Sequence, residues 1–342
     1  MSTPLRGAII GFGNVAERGH LPAWLARDDM EIVAVAEPDP ARRARAGELL
    51  PAARLHGDPG ELFREAAALD FVDIATPPAL HAPLIVAAAA AGLHVVCEKP
   101  LVVSVSEYHR VRDAVREAGV VLFTVHNWKY SEPFQRVRAL LDADSIGPLQ
   151  SIMLETIRDG CARTARVDWR MSAGLAGGGI LVDHGWHGFY IMLGLARQRP
   201  RAVRAELARQ RYLTADVEDS AECTVVFPTV TGRLVLTWAG SERRTRWLLE
   251  GRDGVIEVDD DRISVRRGER VESFVCSESL SDGSHHPEWF GRVLEAFRRE
   301  LVDPAVRGEN LSEAGQCIQL LSLAYTSHAN AAPAPLVPAA AG

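Results

Sequence analysis

The chain carries 38 Lys and Arg residues, yet only Lys99 and Lys129 are lysines. An ammonium is compact and changes its acidity with its surroundings, whereas a guanidinium stays protonated and needs room for a planar fork. A lysine kept in an arginine-rich chain marks a place where size or acidity matters, unless chance kept it. Lys99 lies in "HVVCEKPLVV", directly before Pro100, whose ring biases the preceding residue toward extended backbone and aims Lys99 beyond a strand end. An ammonium so placed stands where open α/β sheets bind their ligands. Asp183 and His187, four positions apart, share one face if their segment is helical. An imidazole titrating near neutrality takes a hydroxyl proton and returns it, and a nearby carboxylate orients the ring or binds substrate.

A second set of residues suits a nucleotide. "GAIIGFGNVAERGHLPAWL" places Gly11, Gly13 and Ala16 in a GxGxxA array after an apolar strand and at the start of a helix. The first glycine allows the tight turn, the second lets the backbone approach a pyrophosphate, and the small third residue lets helix and strand pack closely. The helix N-terminus then presents N–H groups to the anion. Gly11, Phe12, Gly13, Asn14 and Val15 are therefore expected to touch the cofactor. Glu37, in "AVAEPDP" at the end of the second strand, accepts from ribose hydroxyls and repels a 2'-phosphate, which favours NAD over NADP even with Arg42 and Arg43 close by.

Composition narrows the classes. The net charge of -7 disfavours nucleic acid or an anionic membrane as the main partner. Cys97, Cys161, Cys223, Cys276 and Cys317 are odd in number, scattered and without a CxxC pair, which fits a reducing cytoplasm rather than a disulfide framework. The N-terminus lacks the ordered regions of a signal peptide, and "PLIVAAAAAGL" is too short to span a bilayer. His126, His184, His187, His285 and His286 show neither HxH nor HExxH spacing, so no metal is expected.

These side chains need a scaffold, and 342 residues exceed what one core usually serves. From residue 5 to about 125, short β-branched runs ("GAII", "EIVAVA", "DFVDIA", "HVVC", "VVLFTV") alternate with amphipathic stretches, which predicts a parallel doubly wound α/β sheet. Beyond residue 130 come a helix, a glycine-rich stretch, a second helix near 182–196 and alternating runs over 201–275, which predict an α+β domain with an open, mostly antiparallel sheet. The expected division is 1–126, 127–330, and a disordered Ala/Pro-rich tail over 331–342.

The motifs from Asp73 onward resemble those of the Gfo/Idh/MocA family (glucose-fructose oxidoreductase, inositol dehydrogenase, rhizopine catabolism). The family's TPxxxH is present as Thr76, Pro77 and His81, its EKP as Glu98, Lys99 and Pro100, and its GGGxLxDxGxH as "GGGILVDHGWH". The resemblance implies a Rossmann domain followed by an open-sheet domain that forms homodimers or homotetramers, a nicotinamide dinucleotide, and a sugar, cyclitol or related hydroxyl substrate. It implies that Thr76, Pro77, His81, Glu98, Lys99 and Asn127 line the cofactor, that Lys99 reaches the reacting oxygen, and that Asp183 and His187 form the acid/base pair.

Weaker substrate candidates are Trp169 and Arg170, matching a Trp-Arg pair before the glycines, and His184, either a core histidine or an added pocket donor. Lys129 is a substrate contact or a surface residue, and His285 and His286 face a cleft or cap a helix. The expected function is hydride transfer between NAD(H) and a secondary hydroxyl or its ketone. NAD-assisted glycoside cleavage and a non-catalytic dinucleotide sensor are the alternatives.

Overall fold

The computed structural model describes residues 3–161 and 169–336, which fall into two compact units. Unit 1 joins the chain up to Asn127 to Gly283–Gly315; unit 2 holds Trp128–Asp282 and the chain from Gln316. Unit 1 thus takes in residues 283–315, which lie inside the stretch 127–330, and packing explains why. The helix Pro287–Val302 buries Trp289, Phe290, Val293, Leu294 and Phe297. Phe297 meets Phe71 and Phe123 edge-on at 6.2 and 6.1 Å, and Phe290 meets Trp24 at 5.9 Å. Burying each large apolar side chain is worth roughly 1.5–3 kcal/mol, so this face draws its helix onto the first sheet.

That sheet holds β1 (Leu5–Ile10), β2 (Met30–Ala36), β3 (Arg54–His56), β4 (Phe71–Ile74), β5 (His94–Cys97) and β6 (Leu122–Thr124). Its order is β3-β2-β1-β4-β5-β6, parallel throughout. The direction of winding reverses between β1 and β4, and in such sheets ligands bind beyond the carboxyl ends of the strands at that point. β4 is buried along its whole length, as expected of a strand covered on both faces. The three-residue edge strand β3 escaped the sequence reading because Arg54, Leu55 and His56 form no apolar run.

The helices begin where side chains satisfy their first N–H groups. Asp39 accepts from Ala41 and Arg42 ahead of the helix Pro40–Leu49, and Ser104 accepts from Glu107 ahead of Val105–Ala118.

Unit 2 contains β7 (Leu149–Ile157), β8 (Ala202–Ala208), β9 (Ser220–Val226), β10 (Thr231–Thr237), β11 (Arg244–Gly251), β12 (Val255–Asp259), β13 (Arg262–Arg267), β14 (Arg270–Val275) and β15 (Ala334–Pro335). They form one mixed sheet in the order β14-β13-β12-β11-β7-β10-β9-β8-β15. Only the β7–β10 pair is parallel. β9 to β12 alternate buried and more exposed residues, and Met192 of the largely buried helix Trp186–Ala196 lies against Gly232 of β10. β15 corrects the expectation of disorder from 331 onward. Ala334 pairs with Val203 and Pro335 with Ala202, while residues 337–342 lie outside the described residues.

Candidate functional site

In unit 1 the glycine loop follows β1 directly. Gly11 has φ +88°, and a Cβ there would lie 2.9 Å from the Ala75 carbonyl oxygen and from Thr76 Cγ2, so turn and close packing both demand glycine. Gly13 differs. A Cβ at that position would meet only the Arg42 guanidinium, at 3.8 Å, which leaves its outer surface open. Ala16 is fully buried and opens a wide π-helical turn, Ala16–His20, that runs into the helix Leu21–Leu25. Phe12 does not offer its side chain to a cofactor, because its ring is in the core, and its N–H is taken by Glu37 Oε2 at 2.6 Å. Asn14 is exposed and Val15 half-buried.

Glu37 is 4% exposed, and its Oε1 also accepts from the Asp39 N–H at 2.8 Å. Each carboxylate oxygen retains a second lone pair for a ribose hydroxyl. Arg43 donates through Nη1 to the carbonyls of Glu37 and Pro38.

Thr76 and Pro77 follow β4, and Asn127 follows β6. Thr76 Oγ1 and Asn127 Oδ1 are buried without a hydrogen-bond partner among the described residues. Buried polar atoms are rarely left so, and two of them beyond the carboxyl ends of parallel strands fit a dinucleotide. Gly13 and the start of the helix would take the pyrophosphate, Glu37 the ribose, and the strand-end residues the nicotinamide half. A bound nicotinamide supplies a hydride acceptor or donor.

His81 requires a correction. It was expected against the cofactor, but it is fully buried, with Nδ1 2.8 Å from the Pro100 carbonyl and Nε2 2.9 Å from that of Thr76. It ties together the loops that carry Thr76 and Lys99. Glu98 is likewise turned inward: Oε1 meets His20 Nε2 at 3.0 Å and Oε2 accepts the Lys99 N–H at 2.9 Å. Lys99 stands just beyond β5, half-buried, with a cis bond to Pro100.

Unit 2 assembles the other candidates. The segment expected as a regular helix is a π-helical turn, Leu181–Gly185, leading into Trp186–Ala196. Asp183 Oδ2 lies 3.7 Å from Arg170 Nε and 3.4 Å from His184 Nδ1. Arg170 in turn lies over the Trp169 ring at 4.3 Å, so Trp169, Arg170, Asp183 and His184 form one cluster, and the His184 and His187 rings are 6.3 Å apart.

His187 is 7% exposed, stacks on Trp128 at 5.0 Å, and places Nδ1 2.5 Å from Tyr190 Oη, which accepts the Trp128 N–H at 3.1 Å. Tyr190, which the sequence reading missed, orients the imidazole. A tyrosine three positions beyond a candidate histidine on a helix is the one signal that could have found it. The Lys129 stem packs on Gly194. In unit 1, His286 stacks on Trp289 at the start of the helix Pro287–Val302, and the His285 carbonyl faces Gly19.

Protein fills the space beside Gly178 and Gly179. A Cβ at Gly178 would fall 2.0 Å from Tyr325 Oη, and one at Gly179 would fall 1.8 Å from the Glu218 carbonyl oxygen. Glu218 Oε1 accepts from the Gly179 and Leu181 N–H groups and from Tyr325 Oη, each near 3 Å. Burial pushes the Glu218 carboxyl above its ordinary range against these donors. No group of three or more His, Cys, Asp or Glu among the described residues could hold a metal, and no described helix is long and apolar enough to cross a membrane.

Residues 5–126 match the family model described as "Oxidoreductase family, NAD-binding Rossmann fold", and residues 134–257 match "GFO/IDH/MocA C-terminal domain". The dTDP-3,4-didehydro-2,6-dideoxy-alpha-D-glucose 3-reductase of Streptomyces violaceoruber is 31% identical over 91% of this chain and 86% of its own length. A D-apiose dehydrogenase of Paraburkholderia graminis is 36% identical over 42% of this chain, a match spanning only 37% of that relative. Among solved structures, an Agrobacterium radiobacter oxidoreductase in complex with NAD+, L-tartaric acid and magnesium superposes with a TM-score of 0.84 at 22% identity, covering 97% of this chain and 98% of that one. The chain belongs to the Gfo/Idh/MocA family of oxidoreductases with an NAD-binding Rossmann fold.

Proposed function

We propose that this chain transfers a hydride between NAD(H) and a secondary hydroxyl, or its ketone, on a sugar or related polyol. The observation that carries the reading is Lys99 at the carboxyl end of β5, in a sheet whose nucleotide loop is open at Gly13 and whose strand-end atoms Thr76 Oγ1 and Asn127 Oδ1 await partners. The sugar-directed names of the S. violaceoruber and P. graminis relatives support the substrate class. The Lys99 ammonium donates to the reacting oxygen as alkoxide character grows.

His187 exchanges the hydroxyl proton. Its Nδ1 is engaged by Tyr190, so the exchanging atom is Nε2, and the neutral ring keeps its hydrogen on Nδ1, donated to Tyr190 Oη. Asp183, steadied by Arg170 and His184, binds substrate hydroxyls, and Trp169 offers a sugar ring an apolar face. The Glu37 carboxylate favours NAD over NADP. We further assign the chain to a reducing cytoplasm and to a homo-oligomer formed through the open face of the β7–β15 sheet.

The test mixes the purified chain with NAD or NADP and D-glucose, D-apiose, a methyl glucoside and myo-inositol, following nicotinamide absorbance. Reduction of NAD by at least one of them, with a lower KM for NAD than for NADP, is expected. Lys99→Met should lower kcat by about 100-fold or more while dinucleotide affinity holds. Glycoside cleavage without net reduction would support the alternative of transient oxidation, and turnover unchanged in Lys99→Met would end the assignment.

A further inference from the structure

His20 stands at the end of the π-helical turn, 2% exposed, and takes no part in the chemistry above. Its Nδ1 lies 2.9 and 3.1 Å from the two carboxylate oxygens of Asp73, and its Nε2 lies 3.0 Å from Glu98 Oε1. A neutral imidazole has one N–H, and an ionised carboxylate has none to give, so this arrangement is satisfied only when both ring nitrogens donate. The ring is then an imidazolium. Phe290 lies parallel to it at a centroid distance of 3.7 Å, the arrangement in which an aromatic face supports a cation. Burial alone would drive the proton off, but the charges and hydrogen bonds of Asp73 and Glu98 outweigh it and raise the group to about 9.

Asp73 is itself fixed, since its Oδ2 accepts the Trp24 indole N–H at 2.8 Å. The anchoring runs from Trp24 through Asp73 and His20 to Glu98, and Glu98 Oε2 ends it on the Lys99 backbone N–H. An ion pair between Glu98 and the Lys99 ammonium would compete with any substrate oxygen for that ammonium.

We propose that His20 is the positioning residue for Lys99: it holds the Glu98 carboxylate on a buried imidazolium, so that Glu98 caps the Lys99 backbone and is kept off the Lys99 ammonium. The proposal rests on the reading of Lys99 as the group that meets the reacting oxygen.

The two lysines of the chain make the test direct. Reductive ¹³C-methylation of the dinucleotide-saturated protein labels Lys99 and Lys129, with Lys99→Met assigning the signals. His20→Gln should move the Lys99 resonance, leave that of Lys129 in place, and lower kcat at least tenfold with dinucleotide affinity within about twofold. A double variant with Glu98→Gln should be no more than about twofold worse than the poorer single variant, because the two residues act as one unit. An unmoved Lys99 signal, additive effects of the two substitutions, or a normal kcat in His20→Gln while Lys99→Met is inactive would overturn the positioning role and leave the Lys99 reading intact. Turnover persisting in Lys99→Met would instead overturn that reading. Breaking a buried ionic triad can prevent folding. A ¹⁵N-histidine spectrum of the unaltered protein at about pH 8, above histidine's ordinary range, therefore provides a second check. Two ring N–H protons on His20 are expected, and a single one would overturn the proposal.

Discussion

Gly13 in the first glycine-rich turn and Gly178 and Gly179 in the second are glycine for opposite reasons. At Gly13 the missing side chain leaves open surface, with one guanidinium nitrogen 3.8 Å from where a Cβ would stand. At Gly178 and Gly179 the space is already taken by Tyr325 Oη and the Glu218 backbone, at 2.0 and 1.8 Å. The polar atoms follow the same division: Thr76 Oγ1 near the first turn lacks a partner, whereas Glu218 Oε1 beside the second accepts three hydrogen bonds. One turn is open at Gly13. The other is a joint that fixes the start of the segment carrying Asp183 and His187. Similar glycine patterns therefore report open surface in one unit and internal packing in the other.

Substitutions separate these roles. Gly179→Ala drives a methyl into a backbone carbonyl and should cost about 4 kcal/mol or more, beyond ordinary overpacking, seen as a large fall in melting temperature. The pH dependence of stability should come next in size. The His20 ring is raised from 6.5 to about 9 by Asp73 and Glu98, against burial. Its stabilisation is complete below 6.5 and lost as pH rises through about 9, on the order of 3 kcal/mol. Chemical denaturation at stepped pH should show that decline, and His20→Gln should flatten it.

Gly13→Val should leave melting unchanged yet weaken dinucleotide binding at least tenfold, about 1.4 kcal/mol, measured by nicotinamide fluorescence. Equal melting losses at Gly13 and Gly179 would break the comparison. The smallest effects sharpen it. Tyr325→Phe removes a satisfied hydroxyl and should destabilise by about 1 kcal/mol, while Thr76→Val removes an unpartnered one, leaving stability level or slightly improved and dinucleotide affinity a few-fold lower.

What could be read in the sequence was local. The glycine loop after β1, Lys99 beyond β5 and the Asp183–His187 spacing each occupy a few consecutive positions, and the alternation of β-branched runs with amphipathic stretches pointed to a parallel sheet, while its strand order came from the coordinates. What could not be read lies in partners far apart along the chain. His20 meets residues 53 and 78 positions away, and Glu218 meets Tyr325 107 positions away. His81 sits where a family motif places it, yet only coordinates show its ring fully buried between the Thr76 and Pro100 carbonyls. Regular helical periodicity is blind to the π-helical turns at Ala16–His20 and Leu181–Gly185, which widen the backbone beside the nucleotide loop and at Asp183. The edge strands β3 and β15 are too short to show a pattern.

The most direct measurement follows the hydride itself. The chain is incubated with NAD and sugars deuterated at each secondary carbon, and the reduced nucleotide is weighed by mass spectrometry. Deuterium transferred to the nicotinamide ring from one carbon, and lost when Lys99 is replaced by methionine, is the predicted result. Bound nucleotide that gains no deuterium from any sugar, or transfer that proceeds undiminished without Lys99, would contradict the account.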